Sequence, residues 1–144
     1  MIDLDSDKVY YLASPYSSLF PELVLERYQE QGRLCVYLLT ELGLCVINPI
    51  EMCHHLSQRF KLPSGYEYWK KRDRRLIDCC DATIVCMMNG WENSIGVNDE
   101  IAYTLGSGKI VYYLHPDTLE IIEPFTRRGK RKWIETKISG RPTD

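Results

Sequence analysis

Residues 81–114 read DATIVCMMNGWENSIGVNDEIAYTLGSGKIVYYL, which is the pattern of a strand, a loop, a helix and a second strand. The apolar run 82–87 is rich in β-branched residues, as is typical of a strand buried on both faces. A helix is predicted over 97–105, because apolar residues recur there at helical spacing and glycines follow. Together with the apolar run 110–114, these elements predict a βαβ unit with parallel strands.

The loop 89–96 of this unit is a candidate binding site. It follows the carboxyl end of a parallel strand, where ligands of open α/β sheets bind, and it leads into a helix N-terminus that favours an anion. Ser94 offers a hydroxyl, Gly96 lets a ligand approach the backbone, and Glu100 places a carboxylate in the first helical turn. The helix N-terminus is expected to keep Glu100 charged.

Composition restricts the class of ligand. With 144 residues and 44% hydrophobic content, the chain is long enough for a single domain, 1–144, with one well-buried core. Its formal charge of -2, from 18 basic and 20 acidic residues, gives no field suited to a nucleic-acid polymer or an acidic membrane. No run approaches the roughly 18 apolar residues of a membrane span. We therefore expect a cytoplasmic protein that binds a small molecule, with no metal site and no cofactor.

The rest of the chain predicts more strands and helices of the same kind. The sequence predicts strands at 8–13 and 44–47, a long helix from Pro21 to Gly43, and a helix from Tyr66 that carries Asp73. The segment 51–65 has no clear pattern and is interpreted as a short helix or a mobile flap. An edge strand is predicted at 132–138, within a basic segment and loose tail at 127–144. The alternation predicts a flavodoxin-like or Rossmann-like three-layer α/β sandwich with four or five mostly parallel strands.

Polar side chains are expected to gather at the carboxyl edge of this sheet. The loops that begin with Ser14-Pro15 and Asn48-Pro49 end two strands there. The residues that can converge at this edge are Tyr11, Ser14, Tyr16, Asp73, Asp81, Ser94 and Glu100. Carboxylates beside a tyrosine suit glycosyl transfer, because one carboxylate can attack the sugar carbon while another handles the leaving group's proton.

Four segments carry a family resemblance: VYYLASPYS at 9–17, GLCVINPI at 43–50, RDRRLIDCCDATIV at 72–85 and SIGVNDEIAYTLGSGKIV at 94–111. In order and spacing they resemble the superfamily of nucleoside 2-deoxyribosyltransferases and 2′-deoxynucleoside 5′-phosphate N-hydrolases. The sequence is most similar to the small members that carry YLASPYS. This resemblance implies an enzyme that cleaves the N-glycosidic bond of a nucleoside or nucleoside 5′-monophosphate, or exchanges its base.

The resemblance also implies roles for single residues. Glu100 would be the nucleophile that forms a glycosyl-enzyme bond at C1′, and Asp73 would manage the proton of the departing base. Tyr11 would orient Glu100 and stabilise its charge. Ser94 matches the position that contacts the phosphate in the hydrolases. The other expected substrate contacts are Ser14, Pro15, Tyr16, Asn48, Asp81, Trp91 and Gly96.

Two departures from the family pattern concern the substrate. The hydrolases carry a basic residue after their first strand, but the loop 14–17 has none, which leaves the phosphate without a cation there. The loop between Asp81 and Ser94 is also longer than in the family. It carries Trp91, which is expected to stack on the base.

Each residue also has a purely structural interpretation. Glu100 would be a favourable charge near a helix N-terminus, and Asp73 a solvated helix residue. Tyr11 would be a core tyrosine, Ser94 a helix cap, and Asp81 an organiser of the backbone. For the protein as a whole, the alternative is a non-catalytic protein that binds a nucleotide or nucleotide sugar on the same fold. Retention of Glu100, Asp73 and Tyr11 together favours the enzyme.

The family resemblance and the aromatic residues within 66–69 predict a homodimer or a higher homo-oligomer. Basic residues at 127–130 are then expected to enter a neighbouring subunit's pocket and replace the missing loop cation. Light scattering at micromolar concentration should give at least twice the mass of the chain. A monomeric mass would contradict this prediction.

Overall fold

A computed structural model describes residues 2–63 and 65–122. The strands of this part are β1 (Val9–Ala13), β2 (Cys45–Ile47), β3 (Ala82–Cys86), β4 (Ile110–Leu114) and β5 (Ile121–Ile122). The helices are α1 (Pro21–Thr40), α2 (Pro49–Phe60), α3 (Tyr66–Asp78) and α4 (Ile95–Gly106), with a short 3₁₀ turn at Trp91–Asn93. The predicted strand at 132–138 and the basic tail at 127–144 lie outside the described residues.

The strands form one sheet in the order β2-β1-β3-β4-β5. The first four are parallel, and β5 runs antiparallel to β4. Strand β1 therefore lies between β2 and β3, with Tyr11 aligned with Ile47 on one side and Thr83 on the other. The predicted mostly parallel α/β sheet is confirmed.

Helices cover both faces of the sheet and bury two separate cores. On one face, Leu34 and Leu38 of α1 pack with Leu12 and Ile84. The second core holds side chains of α3, α4 and the alternate residues of the strands, among them Tyr11, Ile77, Val85, Val97 and Ile101. Because neighbouring residues of a strand face opposite sides, Tyr11 projects towards α3 and α4 while Leu12 projects towards α1. This is the predicted three-layer sandwich.

Helix α2 agrees with the helix interpretation of the segment 51–65 and not with the flap, since the helix extends to Phe60. Twelve residues form a regular helix, which has Pro49 in its first turn and ends at Lys61 in the left-handed conformation (φ 48°). The apolar residues Met52, Leu56 and Phe60 are exposed, and His54 is buried instead. Because this apolar stripe faces solvent, it does not mark the buried face of α2. The sequence pattern of the segment was unclear for that reason.

The bounds of α4 place Glu100 in the second turn of that helix, not in the first turn as predicted. The helix begins at Ile95, two residues before the predicted start. Within the described residues, no helix has both the length and the hydrophobicity needed to span a bilayer.

Asn48 fixes the start of α2. Its Oδ1 accepts a hydrogen bond from the Glu51 backbone N–H (3.2 Å), and its Nδ2 donates to Gln31 Oε1 on α1 (2.7 Å). Both Asn48 and Gln31 are buried. The Asn48 side chain therefore caps α2 and joins it to α1.

Replacing Asn48 by Ala should lower the free energy of unfolding by about 1–3 kcal/mol. The change removes a helix cap, and the Oε1 of buried Gln31 loses the hydrogen bond from Asn48. Urea denaturation measures the loss. The matched control is Asn89→Ala at an exposed loop position, where a change of less than about 0.5 kcal/mol is expected. Equal losses in the two variants would contradict the capping role.

Candidate functional site

A cavity of about 630 Å³ opens at the carboxyl edge of β1 and β3. The segments that follow these strands supply one part of its wall, including Ser14, Tyr16, Ser17, Gly90, Asn93 and Ser94. Helix α1 supplies Arg27, and helices α2, α3 and α4 supply further lining residues, including Cys53, His54, Tyr66, Arg72, Asp73 and Glu100. The site therefore lies where ligands of open α/β sheets bind.

Glu100 is held at the wall of this cavity by Tyr11. The Tyr11 hydroxyl donates a hydrogen bond to Glu100 Oε2, and both side chains are buried. Thr104, one turn further along α4, donates to the Glu100 carbonyl oxygen (2.7 Å) and contacts the Thr83 hydroxyl on β3 (2.7 Å). These polar contacts fix α4 against the sheet and set the position of the Glu100 carboxyl.

Asp73 reaches the same cavity from α3. It is buried, and Arg72 donates to its Oδ1 from both Nη2 (2.9 Å) and Nε (3.3 Å). The Arg72 guanidinium also contacts Cys53 Sγ and lies over the Trp69 ring, 4.8 Å from its centroid. The interpretation of Asp73 as a solvated helix charge is therefore wrong, since burial and an arginine partner hold it in the cavity wall.

The two carboxyl groups have different electrostatic environments. Burial raises the pKa of Glu100 well above its usual range, the charge of Asp73 raises it further, and the Tyr11 hydrogen bond opposes both effects. Burial also raises the pKa of Asp73, and the hydrogen bond and charge of Arg72 oppose this. Burial therefore favours the neutral form of Glu100.

The direction of this pKa shift runs against the expectation that the helix N-terminus keeps Glu100 charged. The dipole acts mainly within the first turn of a helix, and Glu100 lies in the second turn of α4. Desolvation of a carboxylate that is only 5% exposed outweighs that contribution.

Ser94 and Gly96 form the start of α4 beside the cavity. Ser94 Oγ accepts from the Val97 backbone N–H (3.2 Å), so Ser94 is the N-cap residue, and it also lines the cavity. A Cβ atom at Gly96 would lie 3.0 Å from Tyr66 Cδ1. Gly96 lines the cavity, and its lack of a side chain also makes room for the Tyr66 ring.

Tyr66 is in turn held by a network that joins α3 to α4. Its hydroxyl donates to Asp99 Oδ2 (2.8 Å), and Arg74 binds both oxygens of Asp99 at 2.6 and 3.1 Å. These contacts fix the helix that carries Asp73 relative to the helix that carries Glu100.

Tyr16 and His54 form an aromatic part of the wall. Tyr16 Oη lies 2.6 Å from His54 Nδ1, and the His54 ring stacks on Tyr28 with centroids 3.7 Å apart. Burial lowers the pKa of His54. Sequence reasoning did not select His54, because only the helical phase of α2 separates this buried histidine from its exposed neighbour His55.

Trp91 does not line the cavity. It is buried in the second core, and its ring centroid lies 5.7 Å from that of Tyr113. The expectation that Trp91 stacks on a base is therefore wrong, because the 3₁₀ turn at Trp91–Asn93 directs this side chain into the core.

Three more of the predicted substrate contacts lie away from the cavity wall. Asn48 is occupied by the capping contacts of α2, and Pro15 is absent from the lining. Asp81 precedes β3 and accepts from the Val9 backbone N–H (2.8 Å). It therefore lies at the amino edge of the sheet, opposite the cavity. There it organises the backbone, which was the structural interpretation of this residue.

Arg27 is the cation that sequence reasoning missed. It comes from α1, lines the cavity, and donates from Nη1 to the Ser17 carbonyl oxygen (2.8 Å). The loop 14–17 has no basic residue, but the first turns of the next helix border the same edge of the sheet. The signal in the sequence is therefore an arginine near the start of the helix that follows the loop 14–17.

No group of three or more His, Cys, Asp and Glu side chains in residues 2–63 and 65–122 is arranged to hold a metal ion. The fold and the site define a doubly wound α/β protein with a ligand cavity at the carboxyl edge of its sheet.

Comparison with known proteins identifies the family. The chain belongs to the family described as "Domain of unknown function (DUF1937)", whose model matches residues 8–115. No curated protein matches the chain. Among solved structures, it is similar to a 2-desoxiribosyltransferase from Leishmania mexicana, with 18% identity and a TM-score of 0.45. The match covers 75% of this chain and 64% of that chain, so this chain spans less than two thirds of that protein.

Replacing Glu100 by Gln should stabilise the protein at neutral and alkaline pH. Above the ordinary Glu pKa of 4.5, the unfolded chain releases this proton while the folded protein retains it. The free energy of unfolding of the wild type therefore falls as pH rises through this interval. The Gln amide oxygen still accepts from Tyr11 and carries no charge.

Urea denaturation at about pH 4 and about pH 8 tests this prediction. The advantage of Glu100→Gln should be small at the lower pH and larger at the higher one. Glu92→Gln, at an exposed position, is the control and should show no such change. A constant difference between Glu100→Gln and the wild type would contradict the raised pKa.

Proposed function

We propose that this protein cleaves the N-glycosidic bond of a nucleoside or nucleoside 5′-monophosphate, or exchanges its base, through a glycosyl-enzyme intermediate on Glu100. The observation that carries the proposal is the buried Glu100 carboxyl, hydrogen-bonded by Tyr11 and placed in one cavity with Asp73. Two carboxyl groups with different environments are what a double displacement at a sugar carbon requires.

In the first step, Glu100 attacks C1′ and the bond from C1′ to the base nitrogen breaks. The base departs with a proton. This proton leaves the Glu100 carboxyl and reaches the base through Asp73. A neutral carboxylic acid and an intact substrate thus become a neutral glycosyl ester and a free base. Protons and charge balance without a metal or cofactor.

Tyr11 supports this step by donating to Glu100 Oε2. As the proton leaves, negative charge grows on the carboxylate, and a hydrogen bond to a charged acceptor is stronger than one to a neutral acceptor. Positive charge that develops on the sugar stabilises the same carboxylate. Tyr11 therefore favours the ionised, attacking form of Glu100.

In the second step, a water or a second base attacks C1′ and releases Glu100. Water gives hydrolysis, and a base gives transfer. The Asp73 carboxylate, paired with Arg72, accepts the proton of the attacking group and passes it to the released Glu100 carboxylate, which restores the starting state of both groups. Both outcomes use the same residues, so the acceptor that enters the cavity decides between them.

The base is assigned to the wall formed by Tyr16 and His54. Aromatic rings suit a planar base, and the contact to Tyr16 leaves the other His54 ring nitrogen as the one that can contact a ligand. This assignment replaces Trp91, which is buried in the core.

Replacing Glu100 by Ala should lower the rate of base release by about 1,000-fold or more, because it removes the nucleophile. Ligand binding should remain, since the other contacts of the cavity are kept. Chromatographic detection of free base from a panel of nucleosides and their 5′-monophosphates measures the rate, and calorimetry measures binding. Intact-mass analysis of rapidly quenched wild type should detect the glycosyl adduct on Glu100.

Glu92→Gln is the matched control and should release base at the wild-type rate. Base release by Glu100→Ala at that rate would reject the glycosyl-enzyme mechanism. A wild type that binds nucleotides and releases no base from any of them would replace the proposal with the non-catalytic binding protein.

A further inference from the structure

Two buried polar atoms in the cavity wall have no hydrogen-bond partner among the described residues. They are Ser14 Oγ and Arg27 Nε. Ser14 is 9% exposed, and both residues line the same cavity. Unpaired buried polar groups are costly, so each one in a native protein calls for an explanation. Neither atom takes part in the glycosyl transfer proposed above.

The position of Arg27 is fixed by the backbone around it. Its Nη1 donates to the Ser17 carbonyl oxygen (2.8 Å), and its Nη2 lies beside Gly90. A Cβ atom at Gly90 would lie 3.1 Å from Nη2, and the positive φ of Gly90 (90°) also favours glycine. The guanidinium is therefore held between the segments that follow β1 and β3.

The cavity wall that includes Arg27 also offers hydrogen-bond donors. Ser14, Ser17 and Asn93 offer hydroxyl and amide groups, and Ser94 begins α4 with its free backbone N–H groups. Among the described residues, Arg27 forms no ion pair, unlike Arg33, Arg72 and Arg74. The acidic residues that line the cavity all come from α3 and α4.

This set of groups matches a phosphate. A phosphate monoester presents several acceptor oxygens and two negative charges at neutral pH, so it can accept from a hydroxyl, a guanidinium and a helix N-terminus at once. A neutral hydroxyl would satisfy one of these donors and leave the arginine charge unpaired. The chemistry therefore favours an anion over a sugar hydroxyl.

We propose that Ser14 and Arg27 bind the 5′-phosphate of the substrate, so that the protein acts on nucleoside 5′-monophosphates in preference to nucleosides. This inference rests on the proposed function and names its substrate class. Arg27 lies outside all four segments that carry the family resemblance. The cation comes from α1 of the same chain, and the site does not require the basic residues at 127–130 of a neighbour.

The test compares kcat/KM for one nucleoside and for its 5′-monophosphate. In Arg27→Gln, the ratio of monophosphate to nucleoside should fall about 10- to 100-fold, as expected for the loss of hydrogen bonds to a charged group. Arg27→Lys keeps the charge and loses the planar donor set, so its ratio should lie between those of the wild type and Arg27→Gln. Ser14→Ala should lower the ratio less than Arg27→Gln.

Arg33→Gln is the matched control, because Arg33 lies on the same helix and makes a surface ion pair with Glu30. It should keep the wild-type ratio. Thermal unfolding shows whether each variant is folded. A variant with neutral residues at 127, 128 and 130 tests the competing source of the cation. If that variant loses the preference and Arg27→Gln keeps it, the proposal is overturned.

Inorganic phosphate distinguishes the phosphate of the substrate from free phosphate as a ligand. It should compete with the monophosphate in wild type and compete about 10-fold or more weakly in Arg27→Gln. Acceleration of nucleoside cleavage by free phosphate, with no preference for the monophosphate, would overturn the assignment to the 5′-phosphate.

Failure of this inference differs from failure of the proposed function. If base is released from nucleoside and monophosphate with equal kcat/KM, the phosphate site is wrong and the catalytic proposal stands. If calorimetry shows Arg27-dependent binding of inorganic phosphate and no substrate releases base, the phosphate site stands and the catalytic proposal is wrong.

Discussion

The hydrogen bond from Tyr11 to Glu100 links the middle of the sheet to α4, which carries the buried carboxyl of the cavity wall. Strand β1 has a neighbour on each side, so Tyr11 has little freedom to move away from Glu100. A carboxyl in this position needs a polar partner, because an unpaired buried polar group would be costly. The bond explains how a polar pair persists inside the second core, next to Ile77, Val97 and Ile101. Burial still makes Glu100 a source of instability at pH values where the unfolded chain ionises it.

The remainder of the site depends on how α3 and α4 pack on that pair. The Thr83–Thr104 contact fixes α4 to β3, and the bonds of Asp99 to Tyr66 and Arg74 fix α3 to α4. Gly96 permits this packing by leaving space for the Tyr66 ring. Asp73 and Glu100 thus come from two helices whose relative position is set by side chains outside the reaction.

Local patterns in the sequence were sufficient to predict the four parallel strands, the βαβ unit and the edge at which the polar residues lie, but not the short antiparallel β5. These features follow from apolar periodicity and from strands that end at proline or glycine, both of which act over a few residues. Patterns of this kind carry no information on how a helix is rotated against its neighbours. The exposed apolar face of α2, the inward direction of Trp91 and the entry of Arg27 all depend on that rotation. The protonation of Glu100 depends on burial, which the sequence position of a glutamate does not reveal.

Arg72 and Arg27 both line the cavity, but they differ in whether a carboxylate pairs with their charge. Arg72 is occupied by Asp73, Cys53 and the face of Trp69, so its charge supports the carboxylate pair. Among the described residues, Arg27 donates to the Ser17 carbonyl oxygen and forms no ion pair, so its charge is available to the proposed phosphate. An anion bound at Arg27 would add negative potential to a cavity that already contains Asp73, and negative potential raises the pKa of a nearby carboxyl. Binding of a phosphate would therefore help Glu100 to keep its proton until the departing base takes it. In this way the two proposed sites act on one substrate in sequence, with the phosphate bound first and the proton released as the glycosidic bond breaks.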